Sequence, residues 1–329
     1  MSTTTKVVLI VAGVLVVCIL GTAVTLGIMA GRSGLSNLKG LFQGAVIDID
    51  ESAELDLSGV SHINIENVSG RIIVAPGEPR ATLTGRVTTN TDKKTFLDVQ
   101  NNNGTLTVLA DFRTIYPNFI SGDMVLTVYL PEDVGMNVSV SGTSSNADVS
   151  SIRFDSLSVH STSGTMKVTG CSGSSLKVGS TSGESEVRDV SFGSMDVSST
   201  SGTVTVDGAE GNLSANCTSG SIKVNNVTGA VDVSNTSGGA SVTLRQAVLQ
   251  PVRIKAISGS IRLALPPDAA FNLDVDTVSG SFSSAFDITI SGKQSGHVPG
   301  EDISGKVNGG GAPVELSTVS GSITLAKAE

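Results

Sequence analysis

One short motif recurs through the middle of this chain and constrains its fold more than any other feature. Ser-Thr-Ser-Gly stands at residues 161–164, and the same motif or a close variant ends at Gly183, Gly202, Gly220 and Gly238. These glycines lie 18 or 19 residues apart. A short fixed period of this kind is typical of repeat proteins, in which each repeat stacks on its neighbours. The register continues more loosely at Gly142, Gly259, Gly280 and Gly321, with Gly70 as a weaker candidate.

Aligning the repeats on their glycines separates apolar from polar positions. Apolar residues occupy the positions seven and five before the glycine, as at Leu157 and Val159, and the positions two and four after it, as at Met166 and Val168. Polar residues such as Lys167 stand between them. This alternation with a period of two predicts short strands with one buried face. We expect glycine at the turn because it adopts positive φ without steric cost.

A single repeat has too few apolar side chains to offset the entropy of ordering its backbone, so the repeats must share a core by stacking. The sequence therefore predicts an all-β fold, a parallel β-solenoid (β-helix) with coils of 18–21 residues. The column three before the glycine, which holds Ser, Thr, Cys or Asn, would form a ladder of small polar side chains. Aromatic residues make up 3% of the chain, which suits a thin core of small and β-branched residues.

The N-terminal region predicts a membrane anchor. After a short tail at 1–6, residues 7–31 form an uncharged, mostly apolar run that is long enough to cross a bilayer. A cleaved signal peptide is the alternative, although its apolar part is normally shorter. Within the run, Ala23, Gly27 and Gly31 share one helix face and are candidates for transmembrane self-association. Residues 32–45 would be a juxtamembrane linker.

The remaining chain divides into three regions. Residues 46–135 predict a β-rich N-terminal cap, in which Asn101-Asn102-Asn103-Gly104 marks a hairpin. Residues 136–290 carry the solenoid repeats. Residues 291–329 combine a Gly-rich loop with a last coil that we expect to cap the stack. As the longest irregular segment, this loop is the candidate partner-binding site, with residues Ser291, His297, Glu301, Asp302 and Lys306.

Nothing in the sequence predicts catalysis. His62, His160 and His297 lie in three separate regions, without carboxylates or cysteines at metal-ligand spacing. We therefore expect no enzyme activity, no cofactor and no metal site. The net charge of −9, without a basic cluster, argues against nucleic acid as a partner. Cys171 and Cys217 fall on different walls of the predicted stack, so a disulfide between them is not expected.

The recurrent V-x-x-T-S-G-x-x-x-V unit resembles a bacterial β-strand-repeat family of unknown function whose members are often labelled putative adhesins. The strand-ending pairs Leu130-Pro131 and Leu265-Pro266 are similar to it as well, as is the Gly-rich end of the chain from Gly305. The resemblance covers about residues 46–329. It implies a right-handed, often membrane-tethered solenoid of the cell envelope, in some members linked to envelope-stress genes. It implies no catalytic residues.

Three functional hypotheses follow. The first is a single-pass, membrane-anchored and extracytoplasmic solenoid that acts without catalysis in binding, as a scaffold or in envelope stress, with an envelope protein or glycan as partner. The second is a β-helix that binds or acts on polysaccharides. The third is a structural envelope protein that self-assembles, for which a homo-oligomer is expected.

The predicted topology can be tested in intact cells. A cysteine introduced as Ser295→Cys should react with a membrane-impermeant thiol reagent, because the C-terminal region is expected outside the cytoplasm. Labelling that occurs only after lysis would contradict this orientation.

Overall fold

The computed structural model describes residues 45–89, 95–112, 120–121, 124–290 and 301–328. The predicted anchor at 7–31, with Ala23, Gly27 and Gly31, lies outside these residues. Regular structure within the described ranges is entirely β. No helix in this part of the chain is long and apolar enough to span a bilayer.

The described strands form one continuous mixed sheet that winds into a solenoid. In the N-terminal part they are β1 Ala45–Glu54, β2 His62–Pro76, β3 Arg80–Thr89, β4 Leu97–Asn102, β5 Thr105–Ala110, β6 Ile120–Ser121 and β7 Val125–Leu130. The central coils contain β8 Asn137–Ser150, β9 Ser156–Ser163, β10 Met166–Thr169, β11 Ser172–Ser182, β12 Ser185–Val227, β13 Val231–Ser237 and β14 Ala240–Thr243. The C-terminal part contains β15 Val252–Ser258, β16 Ile261–Leu265, β17 Phe271–Ser279, β18 Phe282–Ser284, β19 Thr289–Ile290, β20 Glu301–Val307, β21 Ala312–Ser320 and β22 Ile323–Lys327.

Parallel pairing between successive coils confirms the predicted repeat register. Leu176 lies between Leu157 and Met195 in neighbouring strands, each displaced by one repeat. Val168 likewise pairs with Val187. The apolar columns face inward along the stack, and the five residues just named are at most 2% exposed. Ser185 departs from the pattern: it stands in an apolar column, fully buried, and its hydroxyl donates to the Ser198 carbonyl at 3.2 Å.

The glycines of the motif stack directly on one another. A Cβ added at Gly202 would lie 1.9 Å from the carbonyl oxygen of Gly183, and one at Gly220 would lie 1.9 Å from that of Gly202. Both glycines also have positive φ, 158° and 147°. Glycine is therefore required by close backbone approach as well as by the turn. Gly280 separates the two effects, because it lacks a positive φ, yet its Cβ would lie 1.8 Å from the Gly321 carbonyl oxygen.

The predicted register is wrong at Gly142. This residue pairs with Ser161, which places it three positions before the glycine column. Ser145 occupies the glycine position instead, opposite Gly70 in β2. A serine is tolerated there, and its hydroxyl donates to the Asn67 carbonyl at 3.2 Å. The weaker candidate, Gly70, is thus in register.

The N-terminal region contains a cap, but part of it belongs to the parallel stack. β4 and β5 form the predicted hairpin, closed by Asn103 and Gly104 with φ of 50° and 79°. β1, β3 and β7 form an antiparallel layer. β2 instead pairs in parallel with β8 on one side and with β5 and β7 on the other. The parallel solenoid therefore begins at His62 rather than near residue 136.

The order of coils at the C-terminal end differs from the expected one. β21 lies between β15 and β17, and β22 lies between β16 and β18. The last coil in the sequence, which we expected to cap the stack, is thus internal. The outer coil is formed by β17 and β18, and antiparallel β20 covers the outer edge of β17.

Candidate binding groove

The column three residues before each glycine forms a ladder of small polar side chains under the turn. Ser199 donates to the carbonyl of Gly183 at 3.3 Å, and Asn235 donates through Nδ2 to the carbonyl of Gly220 at 3.0 Å. Cys217 makes the same contact with the Gly202 carbonyl at 3.5 Å. Each of these side chains binds the glycine of the preceding coil. The ladder thus provides hydrogen-bond donors to the backbone carbonyls of the turn.

The positions on either side of this ladder point outward and enclose a groove along the stack. One wall is the column four before the glycine, the other is the column two before it, and the backbone of the ladder forms the floor. The groove has a volume of about 590 Å³ and crosses several coils. Its walls are formed by Ser198, Asn216, Ser234, Lys255 and Ser317 on one side and by Thr200, Thr218, Thr236 and Ile257 on the other.

Most of the described side chains that line the groove are neutral hydroxyls and amides, and its titratable groups are Lys255 and Cys217. Burial raises the pKa of the Cys217 thiol, which keeps it protonated and unreactive. Lys255 lies near Glu315, whose pKa is lowered mainly by the hydrogen bond from Arg253. The groove can therefore donate and accept hydrogen bonds, but it lacks a pair of titratable groups arranged for acid–base catalysis.

One atom in the floor of the groove has no hydrogen-bond partner. Asn235 is 3% exposed, and its Nδ2 donates to two carbonyls, which leaves Oδ1 buried and unpaired among the described residues. Its neighbours in the ladder are Cys217 and Ala256. The thiol of Cys217 is directed to Gly202, and Ala256 has no polar side-chain atom. The ladder is therefore interrupted at Ala256.

The groove wall that contains Thr200, Thr218 and Thr236 becomes apolar toward the C-terminal end of the stack. Ile257, Val319 and Val278 follow one another in successive coils at the position of the threonines. They are 55%, 49% and 55% exposed. These neighbours are brought together by the internal position of the last coil. The groove therefore has a polar part and a short apolar end.

The residues of the predicted partner-binding loop do not lie together in one irregular loop of the described structure. Ser291 and His297 lie outside the described residues. Glu301, Asp302 and Lys306 are in strand β20, on the outer edge of the last layer, and not in an irregular loop. Asp302 pairs with Asp276, and Asp276 pairs with Ser317 in the neighbouring strand. Asp302 therefore lies in line with the groove wall that contains Ser317. Lys306 lines a separate depression of about 340 Å³.

The other residues considered from the sequence do not form a reactive site within the described ranges. His62 contacts Ser61 and Asn137 through its two ring nitrogens, at 2.9 and 3.3 Å. Cys171 and Cys217 are separate buried thiols, and burial raises the pKa of each. The described part of the chain contains no group of His, Cys, Asp and Glu that could hold a metal ion.

Sequence reasoning missed the groove, although a signal for it was present. Residues such as Ser234 and Thr236 are small and polar in several successive repeats, on both sides of the ladder. Two outward rows of short side chains, separated by one inward row, must leave a channel along the axis. Recognising it required attention to the exposed columns rather than to the irregular loop.

The interrupted ladder yields a stability prediction. Ala256→Ser should raise the free energy of unfolding by about 1 kcal/mol, because the new hydroxyl can donate to Asn235 Oδ1. Ala215→Ser is the matched control. Ala215 is fully buried in an apolar column, where a hydroxyl lacks a partner, so this variant should be destabilised by about 1–3 kcal/mol. Urea unfolding measures both, and destabilisation by Ala256→Ser would contradict the assignment.

The chain is similar to several solved structures and to one protein family. Among solved structures, a protein named putative lipid binding protein from Parabacteroides distasonis is 12% identical, with a TM-score of 0.45, over 85% of this chain and 97% of that chain. A putative adhesin from Bacteroides fragilis is 11% identical, with a TM-score of 0.43 and the same coverage. No curated protein matches the sequence. The family described as Toastrack DUF4097 matches residues 60–326, and the chain therefore belongs to the Toastrack DUF4097 family.

Proposed function

We propose that this protein is a non-catalytic binding element of the cell envelope, and that its groove accepts an extended polar polymer. The observation that carries the proposal is the polar part of the groove, in which hydroxyl and amide side chains recur on both walls in successive coils. Such a surface offers the same contacts at intervals of about 4.8 Å along the stack. A ligand that repeats along its length can use these contacts together, although each of them is weak.

The mode of binding is constrained by the backbone of the floor. Ser180 and Ser199 belong to strands that already pair in parallel with their neighbours, as do Asn235 and Ala256. Addition of a ligand strand through main-chain hydrogen bonds is therefore excluded at this surface. Recognition must use the side chains of the two walls. Polyhydroxylated chains suit them, since each hydroxyl of the ligand can both donate and accept.

A lack of catalysis is part of the proposal. The titratable groups in the groove are Lys255 and the buried, protonated thiol of Cys217. These two groups do not form a pair of nucleophile and general base. A polysaccharide-binding role is the form of the proposal that the hydroxyl lining favours. A role in cleaving polysaccharides would require a pair of carboxylates, which is absent from the described lining of the groove.

Membrane attachment is the part of the proposal that sets where the solenoid is located. The apolar run at 7–31 would anchor the chain, and the β part would extend from the outer surface, where envelope polymers are accessible. In that position the rigid stack would act as a spacer that displays the groove, and an envelope-stress role would require a ligand that reports envelope damage. End-to-end self-assembly is less favoured, because β20 covers one terminal strand and the antiparallel layer covers the other end.

Filling the groove tests this function. Ser234→Trp should reduce retention of the purified β part on isolated cell-wall polymer and on envelope protein fractions by at least about tenfold, because the indole occupies the channel. Ser241→Trp is the matched control, since Ser241 is a half-buried serine of the same coil that lies outside the groove lining. Equal retention of the two variants, on every polymer that the wild type binds, would contradict a role for the groove.

A further inference from the structure

The last coil of the chain occupies an internal slot between two coils formed by earlier residues. β21 has β15 on one side and β17 on the other, and β22 has β16 and β18. Residues 271–284 therefore stack one coil away from β15 and β16, and residues 312–328 occupy the level between them. The slot has the properties of a binding site for this segment.

The contacts in the slot are specific. Val314, Leu316, Ile323 and Leu325 are at most 1% exposed and complete the core at this level. At the surface, Glu315 accepts a hydrogen bond from Nε of Arg253 at 2.9 Å. Without the segment, β15 and β17 would each expose an unpaired edge and part of the core. Such a site is filled by any segment with this sequence, whichever chain supplies it.

The connection into the slot is a short turn that passes over the start of β17. Asn308, Gly309 and Gly310 all have positive φ, at 48°, 90° and 90°. The turn carries the chain from β20, on the outer edge of β17, to β21, on its inner edge. Asn272 Nδ2 donates to the Gly311 carbonyl at 2.6 Å. The two glycines allow this short turn to extend without steric cost, and extension of the turn is the change that exchange of the following segment requires.

We propose that residues 312–328 are exchangeable between two copies of this chain, so that each copy fills the slot of the other. The exchanged dimer keeps every contact of the slot and changes the hinge at 308–311 alone. Reciprocal exchange closes the assembly at two chains, because both slots are then occupied. Attachment of the copies to one membrane, as proposed above, would raise their effective concentration and favour the exchange.

Crosslinking between differently tagged full-length chains tests the proposal. Ser258 and Ser320 are exposed partners across the slot, while Ser237 and Ser258 are exposed partners in two coils that do not exchange. In a Cys18→Ser background, Ser258→Cys in one chain and Ser320→Cys in the other should form a disulfide-linked heterodimer after mild oxidation. The yield should be severalfold higher than for the matched pair Ser237→Cys and Ser258→Cys. Equal yields would overturn the proposal, provided that Ser258→Cys and Ser320→Cys within one chain do form a disulfide.

Charge reversal gives an independent measurement that decides the question if that intrachain disulfide does not form. Arg253→Glu and Glu315→Arg each place like charges across the slot of an unexchanged monomer. In an exchanged heterodimer of the two variants, both slots contain an opposite pair. The differently tagged variants should therefore co-purify severalfold more than two tagged copies of Arg253→Glu. Co-purification at the same level would overturn the exchange, whatever contact the N-terminal regions make.

Discussion

The close contact between glycine backbones of successive coils is the constraint on which the rest of this structure depends. At Gly183, Gly202, Gly220 and Gly259 a carbonyl oxygen of the preceding coil lies 1.8–2.0 Å from the place of a Cβ. Any side chain there would force two coils apart. The constraint fixes the residue at the turn, the direction in which the chain leaves it and the vertical alignment of the strands on both sides.

The same carbonyls explain the polar ladder and, through it, the groove. The carbonyls of Gly183, Gly202 and Gly220 are covered by the next coil, and each accepts a hydrogen bond from the residue three before that coil's glycine. A small side chain that can donate a hydrogen bond suits this inward position. The residues on either side of it therefore point outward, and their short side chains, such as Ser234 and Thr236, border a channel. The proposed binding surface is thus a consequence of how the turns are satisfied.

The central coils and the N-terminal hairpin could be predicted from the sequence, while the order of the last coils could not, and the signal for the groove was missed. Leu157, Leu176 and Met195 recur at a fixed distance from a glycine, so their alternation predicted both the buried face and the parallel register. The order of the last coils is not encoded in this way. Val314 has the same pattern as Leu273, and the spacing does not say which of them stacks on Val252. Likewise, Gly142 and Ser145 could not be distinguished, because the sequence does not show that this one turn position accommodates a serine side chain.

The stability of two alanine variants tests the role of the glycine contacts most directly. Gly59 has φ of 70° and open space around its Cα, whereas Gly220 combines positive φ with a contact of 1.9 Å to the Gly202 carbonyl oxygen. Gly59→Ala should lower the free energy of unfolding by about 1–2 kcal/mol, the conformational cost alone. Gly220→Ala should lower it by more than about 4 kcal/mol or prevent folding, because backbone must move. Similar losses in the two variants, measured by urea unfolding of residues 45–329, would contradict the account.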